Sequence, residues 1–266
     1  MTHSSRLLAV ALAGALAAAG CGAQRGVVAP ASADADQFLF ERGQAAFKER
    51  KWLQAREYFR QIVDNYPQST YRPDAKLGVG DTYIGEHSTE ALMLGVNEFR
   101  EFLTFYPTSA RADYAQFRLA TALAEQMLAA ERDQTTTREV VKEMQVFLDR
   151  YPNSALMPEA KALMRQAKDR LSEASYRVGF YYFRAKWYPG AIDRFKEVLA
   201  ADPEFTTRDA VYYHLAESLL AIGTEASKAE ALPYFERLLK EFEQSSYLQL
   251  ARRRVEELKG ATGAQR

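Results

Sequence analysis

A short stop signal recurs along this chain and constrains its fold more than any other feature. Tyr66-Pro67-Gln68-Ser69, Tyr106-Pro107-Thr108-Ser109 and Tyr151-Pro152-Asn153-Ser154 share one pattern; Asp202-Pro203-Glu204 is a weaker copy and Phe242-Glu243-Gln244-Ser245 a degenerate one. Eight residues before each proline or its stand-in stand Phe59, Phe99, Met144, Phe195 and Phe235. Twelve before stand Ala55, Gly95, Val140, Ala191 and Ala231, and five before stand Ile62, Phe102, Phe147, Val198 and Leu238. These offsets fall on one stripe of a 3.6-residue helix. Each copy therefore closes with an amphipathic helix, and a proline cannot prolong it.

A second helical segment precedes each stripe. Gly43 lies 12 residues before Ala55 and Gly179 lies 12 before Ala191; Val79-Gly80 followed by Tyr83 matches Val178-Gly179 followed by Tyr182. Small residues let two helices approach closely, and this also accounts for Gly78-Val79-Gly80, which lacks the strand and third glycine of a phosphate-binding loop. The serine two residues after each proline is expected to cap the next helix. The unit resembles the tetratricopeptide repeat, a helix–turn–helix of about 34 residues, over residues 36–245. Repeats two and five carry three extra residues and repeat three carries more, around Asp133–Thr137; these read as loops between helices. From Pro158 to Lys186 there is no further proline and one glycine, so a single helix of about 28 residues, roughly 42 Å, is expected to close the third repeat and open the fourth. The expected fold is all-α: a superhelical solenoid of five such repeats, a long shared helix between repeats three and four, and a capping helix from Ser246 to Lys259 with a polar outer face.

Composition sets the function class. Lys+Arg 35 balances Asp+Glu 35, so no basic face for nucleic acid is indicated. One cysteine and three histidines (His3, His87, His214) exclude an intramolecular disulfide and a thiolate zinc site, and they provide no nucleophile–base pair. The chain therefore reads as a non-enzyme without cofactor. Its start reads as an address: Arg6, an apolar run from Leu7 to Ala19, and then Gly20-Cys21. The run is too short to span a bilayer and fits a secretory signal. Ala18-Ala19-Gly20-Cys21 resembles a lipobox, with Ala18 where leucine is commonest, and marks Cys21 for a covalent lipid; the competing reading is an ordinary signal cut nearby. The expected divisions are a signal at 1–20, lipidated cysteine and tether at 21–35, a first subdomain at 36–170, a second at 171–260, and a tail at 261–266.

Taken together, the lipobox, five repeats with Tyr-Pro-x-Ser boundaries and the long helix resemble the BamD family, lipoproteins of the outer-membrane β-barrel assembly machinery. The stretch that carries most of the likeness runs from Arg170-Leu171 through Ser175-Tyr176, Tyr181-Tyr182, Trp187 and Arg194 to Thr207-Arg208-Asp209-Ala210. The resemblance implies an outer-membrane location facing the periplasm, as does Gly22 in place of the Asp that often marks inner-membrane retention. It implies three kinds of partner: the periplasmic POTRA domain of BamA, other Bam lipoproteins, and unfolded β-barrel precursors. It also implies that Arg194 docks BamA, with Arg184, Lys186 and Arg208 extending a basic face; the alternative is solvated arginine. A different class of function, a periplasmic adaptor for cell-wall, division or pilus machinery, is built from the same repeats.

The first helix of each repeat lines the concave face of such solenoids. Its inward positions include Phe40, Gln44, Phe47, Leu77, Asp81 and Phe117, a candidate groove for client segments, although aromatic stripes of this kind also serve as ordinary core. The address gives the first testable outcome. Cys21→Ser should move the body from the membrane to the soluble periplasmic fraction; sedimentation with membranes at the wild-type level in low and high salt would show that another tether holds it.

Overall fold

The computed structural model describes residues 34–263, so the expected signal, Cys21, most of the tether and residues 264–266 lie outside the described residues. The described residues form α-helices joined by turns. The helices are α1 (Ala35–Lys48), α2 (Trp52–Asn65), α3 (Arg72–Glu86), α4 (Thr89–Phe105), α5 (Ala112–Ala124), α6 (Thr135–Arg150), α7 (Met157–Arg184), α8 (Tyr188–Ala201), α9 (Arg208–Ile222), α10 (Glu225–Glu241) and α11 (Leu248–Gly263). Consecutive helices pack in pairs. The odd-numbered helices also touch each other in turn, α1 with α3, α3 with α5, α5 with α7 and α7 with α9, and so form the inner layer of a solenoid.

The aromatic of each closing stripe presses on the small residue of its partner helix. A Cβ added at Gly43 would lie 2.6 Å from the Phe59 ring, one at Gly80 2.7 Å from Phe99, and one at Gly179 2.7 Å from Phe195. Gly78 meets the other side of Phe59 at 2.7 Å, so this ring is clamped between α1 and α3. Phe99, Phe195 and Phe235 are fully buried, as are Ala55, Ala191 and Ala231 at the helix crossings. Burying such a ring contributes about 1.5–3 kcal/mol, which explains why the pattern survives where the boundary sequence decays.

The boundary serine acts differently from expectation. Ser69 Oγ accepts the Tyr71 N–H at 3.1 Å, and Ser109, Ser154 and Ser245 do the same with Arg111, Leu156 and Tyr247. The helices begin three residues after the serine, so the hydroxyl is too early to cap them and closes a serine turn instead. It also links neighbouring repeats: Ser154 donates to Asp113 and Ser245 to Asp209, each at 2.6 Å.

The extra residues of repeats two and five are not loops. They lengthen α4 and α10 to 17 residues, against 14 for α2 and α8. The cause is local capping. Ser88 accepts the Ala91 N–H and Thr224 accepts the Ser227 N–H, each at 3.1 Å, with Glu90 and Glu225 in the positively polarised first turn. Only repeat three keeps a long connection, from Glu125 to Gln134. It folds around the buried Gln134, whose amide donates to the Ala129 and Arg132 carbonyls, and it is tied to α7 by Arg170 on the Leu128 carbonyl and by an Arg177–Glu131 ion pair. The capping helix also differs from expectation, running to Gly263 and so into the segment read as tail.

Helix α7 has the expected 28 residues. Ala160, Met164 and Ala167 in its first half enter the core of repeats two and three, while Tyr176, Phe180 and Phe183 in its second half pack against the core of repeats four and five. The helix passes through the 170/171 division unbroken. Ala191 tests this packing: it is fully buried where α8 crosses α7. Ala191→Leu should overpack the contact and cost about 1–3 kcal/mol, read as a lowered midpoint in a denaturant melt.

Candidate functional site: a concave hollow and an outer trough

Five of the six groove residues named from sequence line one hollow of about 430 Å³. Phe40, Gln44 and Phe47 come from α1, and Leu77 and Asp81 from α3. Their spacing on α1 follows from helical periodicity: three and four residues apart, they share one face. Phe40 is half-buried and stacks on Tyr71 with ring centroids 5.0 Å apart, and Phe47 meets the Trp52 ring at 5.1 Å. Leu77 is buried in the floor. Phe117 stands apart, half-buried with its ring edge-on to Phe147 at 6.1 Å. Sequence reasoning missed the rim charges Lys48, Asp74 and Arg111. One signal pointed to them: an acid recurs early in α3, α5 and α9, and its partner is the boundary after the next helix, Asp74 with Arg111, Asp113 with Ser154, Asp209 with Ser245.

Asp81 is buried, and its oxygens are taken. Arg118 Nε donates to one at 2.7 Å and the Tyr114 hydroxyl to the other at 2.8 Å. Burial pushes the Asp81 carboxyl above the usual carboxylate range, opposed by Arg118 and Tyr114. These contacts fix the hollow's wall and leave its open surface to Phe40, Phe47 and Gln44.

A second depression, of about 590 Å³, lies on the outer side where α6, α7 and α8 meet. Val141, Leu171, Val178 and Val198 form its apolar part, and Lys168, Arg194, Glu197 and Asp202 its charged walls, two of each sign. Arg194 is 48% exposed and pairs with Glu197 at 2.8 Å, one turn along the same helix. The four basic residues named from sequence do not form one face. Arg184 and Lys186 are exposed at the α7–α8 turn. Arg208 begins α9, beyond the opposite end of α8; it pairs with Glu241 at 3.2 Å and lies over the Phe242 ring.

The histidines have structural surroundings. His87 is exposed beside Glu125, 2.7 Å away. His214 is buried in the second subdomain among the rings of Phe180, Phe183, Tyr213 and Tyr247, with centroids 4.9 to 5.4 Å away. Its Nδ1 lies 2.8 Å from the Ala210 carbonyl, an acceptor only, so the neutral ring carries its proton there. Among the described residues no His, Cys, Asp and Glu side chains gather into a group of three or more that could hold a metal ion, and no helix is long and apolar enough to cross a membrane.

Comparison with known proteins places this geometry. The family model described as YfiO, outer membrane lipoprotein, matches residues 32–231. The chain belongs to the YfiO family. A Caulobacter vibrioides relative, named outer membrane protein assembly factor BamD, is 26% identical over 188 residues, which cover 70% of this chain and 60% of that protein. Relatives of the same name are 25% identical in Vibrio cholerae, over 62% of this chain and 72% of theirs, and 24% identical in Rickettsia prowazekii, over 82% and 85%. Among solved structures, the TPR2AB domain of yeast Sti1 in a pHSP90 complex superposes with a TM-score of 0.51 at 12% identity, covering 87% of this chain and 85% of that one. That likeness bears on the fold alone. With the eleven described helices, it makes this YfiO-family chain a tetratricopeptide solenoid.

The His214 surroundings give a pH dependence. Burial holds its pKa below the ordinary histidine value of 6.5, against the opposing pull of the Ala210 carbonyl and Glu217. The unfolded chain therefore takes up a proton below pH 6.5 that the folded chain resists. This contribution to stability is full above that pH and declines as pH falls below it, by at most about 1.4 kcal/mol per pH unit. His214→Gln should show a smaller loss of denaturation midpoint between pH 7.5 and pH 5.5 than the wild type, a difference that cancels the carboxylates common to both.

Proposed function

We propose that this chain is a non-enzymatic scaffold lipoprotein of outer-membrane protein assembly, held at the periplasmic face of the outer membrane by a lipid on Cys21. The observation that carries this reading is the family match across residues 32–231, together with relatives named as assembly factors over most of their length. The chain spans 60% of the Caulobacter relative; the partners are those that the resemblance to the BamD family implies, and the chemistry of the chain's own surfaces supports where each would bind.

The concave hollow suits an extended apolar segment. Phe40 and Phe47 offer aromatic faces and Gln44 a donor and acceptor, while Lys48, Asp74 and Arg111 give the rim both charge signs. Unfolded β-barrel precursors, with aromatic side chains on alternate positions, present such segments. The outer trough suits a folded partner, an acidic edge of the BamA POTRA domain nearest the barrel, with Arg194 as its charged contact and Val178 and Leu171 as the apolar floor. Arg184 and Lys186 lie along the α7–α8 turn from it. Other Bam lipoproteins would share the remaining outer surface. No step of chemistry is assigned to the chain, and nucleic acid is not among its partners.

Arg194→Glu tests the docking face. Its exposed pair with Glu197 contributes little to folding, so the melt should move by less than about 0.5 kcal/mol. Reversing a charge that meets an acidic partner should cost about 2–5 kcal/mol of binding, roughly thirtyfold or more in affinity, in a titration with purified POTRA domains. Unchanged binding with a normal melt would remove Arg194 from the interface.

A further inference from the structure

The α7–α8 turn carries a surface that neither the concave hollow nor the outer trough uses. From Gly179 to Gly190 the sequence holds six aromatic residues, the cations Arg184 and Lys186, and no acid. Most of these rings pack inward, but two do not: Tyr181 is 68% exposed and Trp187 is 55% exposed, with Arg184 and Lys186 exposed between them.

Trp187 is held rigidly in this position. Its ring lies against the Gly190 backbone, where an added Cβ would come within 2.5 Å, and its edge meets Tyr182 at 4.7 Å and 82°. The turn beneath it is a Schellman closure: the Trp187 N–H donates to the Tyr182 carbonyl and the Lys186 N–H to the Phe183 carbonyl, each at 2.9 Å. The left-handed position of that motif usually holds glycine. Here it holds Lys186, at φ 60°, a backbone conformation that costs an ordinary side chain free energy. The turn thus keeps a cation where glycine would fit without strain.

Exposed tryptophan and tyrosine beside lysine and arginine, in a segment without acids, match the zone where phospholipid headgroups meet acyl chains. We propose that the tip formed by Tyr181, Arg184, Lys186 and Trp187 rests on the anionic phospholipid surface of the bilayer to which the chain is anchored, and so orients the solenoid beneath it. The charge complementarity selects this occupant: the aromatic rings enter the interface while both cations face lipid phosphates. The anchored reading of Cys21 enters only by bringing the tip within reach of a bilayer. Thirteen residues from 22 to 34 span at most about 45 Å when extended.

The test uses the mature chain with Cys21→Ser, so that no acyl group contributes and failure of the anchor reading leaves the result untouched. A Trp52→Phe background leaves Trp187 as the one tryptophan, since the chain has two. With vesicles containing about one-third phosphatidylglycerol in phosphatidylethanolamine, the protein should co-sediment and Trp187 emission should shift to the blue; with phosphatidylcholine vesicles both effects should be lost. Arg184→Gln with Lys186→Gly should weaken partitioning roughly thirtyfold, at about tenfold or less per cation. Because glycine relieves the turn, this variant should melt no lower than its parent. Four results would overturn the proposal: no sedimentation with anionic vesicles, equal binding to both lipids, binding without a Trp187 shift, or a variant that loses POTRA binding while vesicle binding stays.

Discussion

Everything else in this fold depends on one contact repeated along the solenoid: a bulky side chain on the closing helix of a repeat seated on a small residue of the opening helix. Phe59 on Gly43, Phe99 on Gly80 and Phe195 on Gly179 bring their helices to within a ring's thickness of each other. That approach fixes the crossing within each repeat. Phe59 reaches further and meets Gly78 on the next repeat, so one ring also sets the step from the first repeat to the second. Boundary serines and their acidic partners add polar ties between successive units. The concave hollow follows from this geometry, because Phe40 and Phe47 lie on the face of α1 that the stacking leaves turned inward.

The long helix converts two stacks into one body. A usual opening helix here has 13 to 15 residues, whereas α7 has 28, so its two halves enter different cores. Its middle is braced from both sides by polar contacts. Arg165 and Ser172 hold Asp202, Asp169 holds Thr206, and on the other side Arg170 and Arg177 hold the long third-repeat connection. Arg165 and Ser172 outweigh the burial of Asp202 and keep its carboxyl below the usual range, so the brace stays ionised at neutral pH. The outer trough lies at this junction because α6 and α8 pack on different halves of α7 and leave its middle open between them.

The candidate site was only partly legible in the chain. Counting three before, one after and four after the small residue of each opening helix placed Phe40, Gln44, Phe47, Leu77 and Asp81 on one surface, since helical periodicity alone fixes which residues share a face. The same counting included Phe117, yet Phe147 occupies its ring, because the turn from repeat two to repeat three carries it away from the hollow. The family resemblance grouped Arg208 with Arg184 and Lys186, although the length of α8 separates them. Ion pairing across repeats joins residues 37 positions apart, as in Asp81–Arg118 and Glu217–Arg254, and helical periodicity within one repeat does not reveal the saturation of Asp81 by Arg118 and Tyr114.

The sequence by itself determined the number of repeats, the register of their buried stripes, the length of α7 and the position of the lone cysteine. Each of these rests on short-range physics: helical period, proline as a stop, and the spacing of small and large residues within some forty positions. Local caps, Ser88 and Thr224, turned the surplus residues of repeats two and five into an added helical turn, but only the tertiary structure decided that repeat three kept a loop, because α7 supplied Arg170 and Arg177 to hold it. The structure alone also decided which aromatics became surface. Phe195 and Trp187 lie eight residues apart, and one is sealed in the core while the other stands half in solvent, because exposure depends on whether another helix arrives to cover the ring.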